Sequence, residues 1–403
     1  MIKILKSLLL LPIVLMLLWI VFINIKLHDQ PKFVEDGDGI RNVAVLHQLN
    51  HIGKTIENGA AQDMQRIYPE GFLFLHALYV LSWADIAVDF KSDQALLQQS
   101  IRSMDQSLGR MQSEEGKRIF PKNTVLKYGA FYNGWTAYAM GKRLSLARDS
   151  LLDVRFRAKC KQIAMAYQKS SYEYLESYYQ AIWPADNMVC LAALALHDQL
   201  YLPKYQTIID SCLIKVKLNL DQSTGLIPHA VDAQTLAVSE KARGSSQSLM
   251  NNFLIEINST FAKEQFDIYQ SLFLEKRLGL LGIREYPIGV EGTGDIDAGP
   301  VLWDIGGAAS LVGMRTFMRY GKLDIARSLQ NTVEAFGLPF CLNQKKCYLL
   351  GVLPMADVFI AWGNALNQKQ LVQVAFPSLK FHLISLGIAL FLGFLSFKLI
   401  RNF

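Results

Sequence analysis

The feature that most limits how this chain can fold is its pair of apolar ends. From Ser7 to Ile25 it reads SLLLLPIVLMLLWIVFINI, nineteen residues without a charge, with Lys3 and Lys6 before it and Lys26 after it. A helix of that length covers the roughly 30 Å of a bilayer core at about 1.5 Å per residue. A cleaved signal peptide would carry an apolar region of only about 7 to 15 residues ending at a small-residue site, and no such site is visible. The second stretch runs from about Leu379 to Phe397, with Lys380 and His382 at one end and Lys398 and Arg401 at the other. Its strongest part, Leu383 to Phe397, is short for a span, which predicts a tilted or flank-assisted helix. Basic residues on the terminal side of both stretches place both tails in the cytoplasm and the intervening chain outside. The expected organisation is an N-terminal anchor over 1–27, a periplasmic or extracellular domain over 36–370 and a C-terminal transmembrane helix over 379–398. The bilayer of a cell envelope is the partner these ends imply.

The domain between the anchors is globular. Of 403 residues, 51% are hydrophobic and 19% charged, which is too apolar for disorder and enough for a large core. Setting aside Lys3, Lys6, Lys398 and Arg401 lowers the formal charge from +6 to +2, with no basic stripe of the kind nucleic acids select. Nucleic acid is therefore excluded as a partner. The five cysteines, Cys160, Cys190, Cys212, Cys341 and Cys347, show no metal-ligand spacing, and neither a metal nor a cofactor is expected. Cys341 and Cys347 bracket a short polar loop, where a small disulfide and two free thiols are equally open.

Between the anchors, twelve segments have helical apolar spacing and almost none has strand alternation. They fall near 38–58, 70–90, 93–113, 128–144, 150–177, 184–200, 203–219, 243–257, 261–279, 298–319, 322–336 and 355–368. Asp93 and Asp149 stand where helical runs begin, and Gly321 follows one. No fixed-length repeat appears, which argues against a solenoid. Amphipathic segments alternate with small, apolar ones, as an outer ring of helices around an inner ring requires. The predicted fold is an all-α (α/α)6 barrel flanked by two transmembrane helices.

Inner helices of such a barrel are enclosed by protein, so chemistry belongs to the loops that lead into them. Four junctions are rich: Tyr68–Gly71, Tyr128–Trp135, Tyr178–Asn187 and Arg284–Pro300. Trp183-Pro-Ala-Asp-Asn187 and Thr293-Gly-Asp-Ile-Asp-Ala-Gly299, each followed by an apolar small-residue helix, resemble the linalool dehydratase/isomerase family over roughly residues 60–330. The resemblance implies an (α/α)6 barrel with Pro-Asp-Asn and Asp-x-Asp elements before inner helices. That family's chemistry is associated with a cysteine pair and a histidine. Here Trp183, Ala192 and Ala130 stand at or near those positions, so the resemblance carries the barrel and its carboxylate-bearing rim rather than terpene-alcohol dehydration.

Paired carboxylates in a cleft divide acid and base roles when their surroundings push their pKa values apart. Glu285, Asp295 and Asp297 share one glycine-rich segment, and Asp186 sits at a helix start at the same barrel end. For Asp186 and Asp297 the competing role is helix capping. Glu285 and Asp295 precede no helix directly, and a loop of this length is uncommon unless it is functional. His229 is a candidate general base. Arg243-Gly-Ser-Ser246 at a helix start is a candidate anion site, and Arg284 is a second cation that could bind substrate or pair with a neighbouring carboxylate. Tyr128, Tyr132, Trp135 and Trp183 are candidates for a sugar- or lipid-facing wall. The expected activity is acid–base catalysis, as a lyase, isomerase or hydrolase, on an isoprenoid-like lipid or a glycan. The alternative is a non-catalytic binding or scaffold protein with envelope protein partners.

Overall fold

The computed structural model describes residues 2–29, 33–36, 39–89, 93–296, 298–366 and 379–401. The chain opens with α1 (Ile2–Lys26), the hairpin β1 (Phe33–Asp36) and β2 (Gly39–Asn42), then α2 (Val43–Glu57), α3 (Ala60–Ile67) and α4 (Gly71–Asp89). There follow α5 (Gln94–Met111), α6 (Glu114–Lys117), α7 (Gly129–Leu144), α8 (Ser150–Lys169), β3 (Ala181–Ile182), α9 (Pro184–Leu200) and α10 (Gln206–Leu218). Next come β4 (Ala230–Asp232), β5 (Val238–Glu240), α11 (Gly244–Ile257), α12 (Ser259–Phe273), β6 (Leu274–Arg277) and β7 (Leu280–Ile283). The chain closes with β8 (Val301–Leu302), β9 (Ile305–Gly306), α13 (Gly307–Arg319), α14 (Leu323–Phe336), β10 (Phe340–Leu342), β11 (Lys345–Cys347), α15 (Pro354–Asn364) and α16 (Leu379–Arg401).

Six helices close a ring: α4 packs on α7, α7 on α9, α9 on α11, α11 on α13, α13 on α15, and α15 back on α4. The sequence explains who stands inside. Almost every residue of α7 and α9 is buried, whereas α5 buries only Leu96, Ser100, Met104, Ser107, Leu108 and Met111, one face at helical spacing. The outer layer is α5, α8, α10, α12, α14 and α2. The Asp93 side chain accepts from Leu96 N at 3.0 Å and that of Asp149 from Leu152 N at 2.8 Å, so both aspartates cap the outer helices they begin.

Neighbouring inner helices run parallel. Ser248 Oγ, early in α11, donates to Ala309 O, early in α13, at 2.9 Å, and Arg319 at the end of α13 meets Glu256 at the end of α11 at 2.7 Å. The barrel therefore has a mouth, where inner helices begin, and a far end, where they stop. Aromatic rings fill the axis: Phe74 and Trp135 lie 4.8 Å apart, Trp135 and Phe253 5.5 Å, and Phe253 and Trp362 6.3 Å. The far end is closed by ion pairs. Glu256 takes bonds from Tyr138 (2.8 Å), Lys142 (3.1 Å) and Arg319 (2.7 Å), while Arg315 binds Asp85 at 2.7 Å. Burial opposes the Glu256 charge, yet Arg319 and Lys142 outweigh it and bring its pKa down to about 2.

All twelve expected helical segments have a counterpart, with one shift that matters. The helix expected over 298–319 begins only at Gly307, because the hairpin β8–β9 occupies the preceding residues. Among the described residues five small sheets stand at the connections, which the spacing does not predict because their strands have two to four residues each. The Cys341–Cys347 bridge does not form. Phe340 pairs with Cys347 and Cys341 with Lys346, so the two thiols point to opposite faces of the β10–β11 hairpin, Cys341 exposed and Cys347 buried. All five cysteines are free, and thiol labelling in denaturant is expected to give the same count before and after reduction. A gain of two reactive thiols on reduction would restore the bridge.

At the ends, α1 and α16 pack on each other and on the rim of the barrel. Their shared foot is a cluster of Ile23, Leu27, Leu280, Ala335 and Phe381. Ser385 donates to Asn24 at 3.0 Å, and His28 meets His382 at 2.9 Å. Above that foot, Leu11, Leu15, Leu18, Leu383, Phe391 and Phe394 are exposed. Two described helices are long and apolar enough to cross a membrane: α16, and Gly71–Val88 of α4, which is 83% buried and belongs to the barrel core.

Candidate active site

The mouth is built by long connections between outer and inner helices. A three-stranded sheet, β3–β4–β5, ties two of them together: Ile182 pairs with Val231 just before α9, and β5 carries Glu240 up to the start of α11. Arg243 is the N-cap residue of α11. The next residue must be glycine, since a Cβ on Gly244 would lie 1.8 Å from Arg284 O. That close approach lets the Gly244 N–H donate to Glu285 O at 2.8 Å and locks the end of β7 against the first turn of α11.

Arg243 is the hub of the cluster that results. Its Nε donates to Glu285 Oε1 at 2.8 Å, and its Nη1 lies 2.7 Å from Asp295 Oδ2 and 3.3 Å from Glu240 Oε2. The Tyr286 ring covers the guanidinium at 5.7 Å. Arg243 Nη2 is buried and makes no hydrogen bond among the described residues. Burial opposes the charge of Arg243, but the Asp295 bond and the field of Glu285 hold the guanidinium above its ordinary value. Glu285 is fully buried; Ser245 Oγ donates to its Oε1 at 2.7 Å and Ser245 N to its Oε2 at 3.2 Å. Burial pushes this carboxyl upward, and Ser245 and Arg243 pull against that. Glu285 thus fills the helix N-terminus that the sequence had offered to an external anion.

His229 packs beside the hub, with Nδ1 2.6 Å from Ser246 Oγ and Nε2 3.4 Å from Arg243 Nη1. Burial and the Arg243 charge bring its pKa down to about 3, with Asp295 pulling the other way. It is a neutral imidazole at physiological pH. His76, between α4 and α5, is held neutral in the same way by burial and Arg110, also at about 3. The sign follows directly: below pH 6.5 the unfolded chain takes up protons that the folded chain refuses, so stability falls as pH drops from 6.5 towards about 3. Each histidine is expected to contribute a slope of about 1.4 kcal/mol per pH unit in that window. Urea midpoints measured against pH check this, and His229→Gln should flatten the slope; an unchanged slope would show that the residue is protonated in the fold.

The structure brings Glu285, Asp295, His229 and Arg243 together, as three separate stretches of sequence. Asp186 lies in the first turn of α9, past Pro184, so it is not the cap residue; Trp183 holds that position. It is buried, and after burial itself its charge is the largest cause raising the Cys190 thiol. Asp297 lies outside the described residues. Arg284 turns to the hairpins instead of a substrate: it pairs with Glu275, with Asp304 at 3.2 Å and with the Tyr286 carbonyl at 2.9 Å. Trp135 is a core residue of the barrel axis, fully buried. Tyr128 and Tyr132 line an outer groove of about 450 Å³ between α7 and α8, with Lys117 and Lys159, and not the barrel axis. Trp183 packs edge-on against Tyr178 at 5.5 Å and remains partly exposed at the mouth. Sequence reasoning missed Glu240 and Tyr286, and named Ser245 only within the Arg243–Ser246 stretch. Glu240 had a usable signal, three residues before Arg243, but it sits in a stretch that looked like a plain connector. Among the described residues no group of three or more His, Cys, Asp and Glu could hold a metal ion.

No family model and no curated protein matches the chain. Solved structures do. A GH76 α-mannanase of Bacteroides thetaiotaomicron superposes with a TM-score of 0.50 at 10% identity, over 80% of this chain and 97% of that one. The likeness establishes the barrel. A D-mannose isomerase superposes with a TM-score of 0.45 at 10% identity, over 72% of this chain and 86% of that one. Membership of the linalool dehydratase/isomerase family is not shown; what stands of that resemblance is a helical barrel of the (α/α) type.

Proposed function

We propose that the chain is a membrane-anchored (α/α)6-barrel enzyme that performs acid–base chemistry on a glycan, with Asp295 and Glu240 as the working carboxylates. One observation carries this. Both oxygens lie within 3.3 Å of the same Arg243 nitrogen, so no more than about 6 Å separates them, and both side chains are open to solvent, 46% and 55% exposed. Carboxyl groups about 5–5.5 Å apart suit glycosidases that retain configuration, and those about 6.5–9.5 Å apart suit inverting ones. The spacing here favours the first. Arg243 at Oδ2 and the Ala298 N–H at Oδ1, 2.8 Å away, orient the Asp295 carboxyl, Glu240 supplies the second group, and Glu285 with Ser245 fixes the arginine. The same pair would serve an elimination or isomerisation on an isoprenoid-like alcohol, and the fold is one that an α-mannanase also uses.

The exposed apolar sides of α1 and α16 support a two-span anchor with both tails cytoplasmic and the barrel outside. A binding or scaffold role has one observation in its favour: Glu285 and His229 are buried in fixed pairs and are not free to exchange protons. The experiment is a product screen. The full chain in nanodiscs is incubated with oligosaccharides and isoprenoid alcohols and the products are read by mass spectrometry. Turnover by wild type and strongly reduced turnover by Asp295→Asn, at equal thermal midpoints, is expected; equal product from both would remove Asp295 from the chemistry.

A further inference from the structure

The membrane helices and the mouth lie at the same end of the barrel. Along α1, Ile23 packs with Ala335, Leu27 O accepts from Asn331 at 2.7 Å and Asp29 O from Arg327 at 3.1 Å. As α1 advances, its contacts move back along α14, so its N-terminal part rises beyond Phe336. That end of α14 leads through β10 and β11 into the start of α15, which is the mouth. The first turn of α16 touches the same rim: a Cβ on Gly279, at the β6–β7 tip, would lie 3.0 Å from Lys380 Cβ.

At the mouth the rim hairpins and the turn Leu349–Gly351 after β11 expose large apolar side chains that the fold does not require. Leu278, Leu302, Trp303 and Leu350 are bare, Trp303 at 71%. Leu278 (φ 51°), Trp303 (φ 49°) and Leu350 (φ 57°) are also left-handed, a conformation unfavourable to a residue with a Cβ. A turn selected only to close would carry glycine or asparagine there. Arg277 Nε donates to Trp303 O at 3.1 Å, which sets the tryptophan next to the tip that meets Lys380. Lys276, Lys345 and Lys380 are exposed on the same side, suited to anionic headgroups. The connections at the far end are short: 145–149, 201–205, 258 and 320–322 expose Leu202, and the adjoining helix ends expose Val88, Leu151 and Val154 but no tryptophan.

We propose that the rim of the mouth sits in the bilayer interface through Leu278, Leu302, Trp303 and Leu350, so that the site takes a lipid-borne glycan whose polar head enters the mouth while its tail stays in the leaflet. Tryptophan is enriched at that depth because its ring is apolar and its N–H is polar. Confinement at the surface raises the effective concentration of such a head group at the site. The proposal rests on reading α1 and α16 as membrane spans.

The test uses the full chain with Cys341→Ser, carrying a single NBD-labelled cysteine at Leu302, Leu350, Leu202, Leu15 or Phe391, in nanodiscs of phosphatidylcholine and phosphatidylglycerol. Labels at Leu302 and Leu350 are expected to be quenched by shallow doxyl lipids and shielded from iodide, with the label at Leu202 showing the reverse. Iodide access at Leu302 and Leu350 while Leu15 and Phe391 stay in lipid would overturn the seating and leave the anchors standing. Iodide access at Leu15 and Phe391 as well would overturn the anchor reading itself. Shielding from both quenchers at Leu302 would mean that a protein covers the rim, which also overturns the proposal. A glycan turned over by the enzyme is then offered free and lipid-linked; a preference on the order of tenfold or more for the lipid-linked form is expected, and equal kinetics would reject delivery from the membrane.

Discussion

Arg243→Met should cost the fold about 3–5 kcal/mol, because it leaves Glu285 fully buried with its charge uncompensated. The Ser245 hydroxyl and N–H stay in place, but they cannot replace the guanidinium. Glu285→Gln should cost less, since the amide still accepts from Ser245 and Arg243 still has Asp295 and Glu240. The double variant Arg243→Met/Glu285→Gln removes both charges of the pair, and its loss should be clearly smaller than the two single losses together. Chemical denaturation of the four proteins measures the coupling. Strict additivity would mean that the two side chains do not depend on each other, and the hub described here would be wrong.

Gly244→Ala is expected to be as severe or worse, above about 4 kcal/mol, where single substitutions become exceptional. Its methyl would stand 1.8 Å from a backbone carbonyl, so no side-chain rotation relieves the clash. Either α11 withdraws from β7 or the Gly244 to Glu285 backbone bond opens, and both separate Arg243 from Glu285. Thermal unfolding of the variant should show a large drop in midpoint. A variant as stable as wild type would mean that the strand and helix are not held at that distance.

Much of this architecture was legible in the sequence, for a physical reason. Helices enclosed by protein must be apolar all round, and α9, from Pro184 to His197, has hardly a polar position, whereas α5 alternates faces at helical spacing. Asp93 and Asp149 announced their helices because capping is local chemistry. The rim was less legible. Its strands are two to four residues long, too short for alternation to register, which is why the spacing puts the start of α13 at 298, nine residues before Gly307. The membership of the site was partly visible: Glu285, Asp295, His229 and Arg243 were each found, and their meeting around one guanidinium was not, since it depends on how three loops cross. The aromatic residues separate for a different reason. Tyr128, Tyr132 and Trp135 share one stripe at i, i+4 and i+7, yet the stripe meets different neighbours along α7: the first two line the groove beside α8, and Trp135, a turn further on, packs on Phe74 and Phe253 in the barrel axis.

Acid–base chemistry by a carboxylate pair at the mouth is the claim on which the rest depends, and a pH–rate profile tests it most directly. On a glycan turned over by wild type, kcat/KM should trace a bell, with one limb for the carboxylate that must be ionised and one for the group that must be protonated. Glu240→Gln and Asp295→Asn should each lower the rate by about 10²–10⁴-fold, the range for losing a positioned acid or base, and the residual activity should lose one limb of the bell. A profile that is flat in wild type, or a bell unchanged in both variants, would contradict the account.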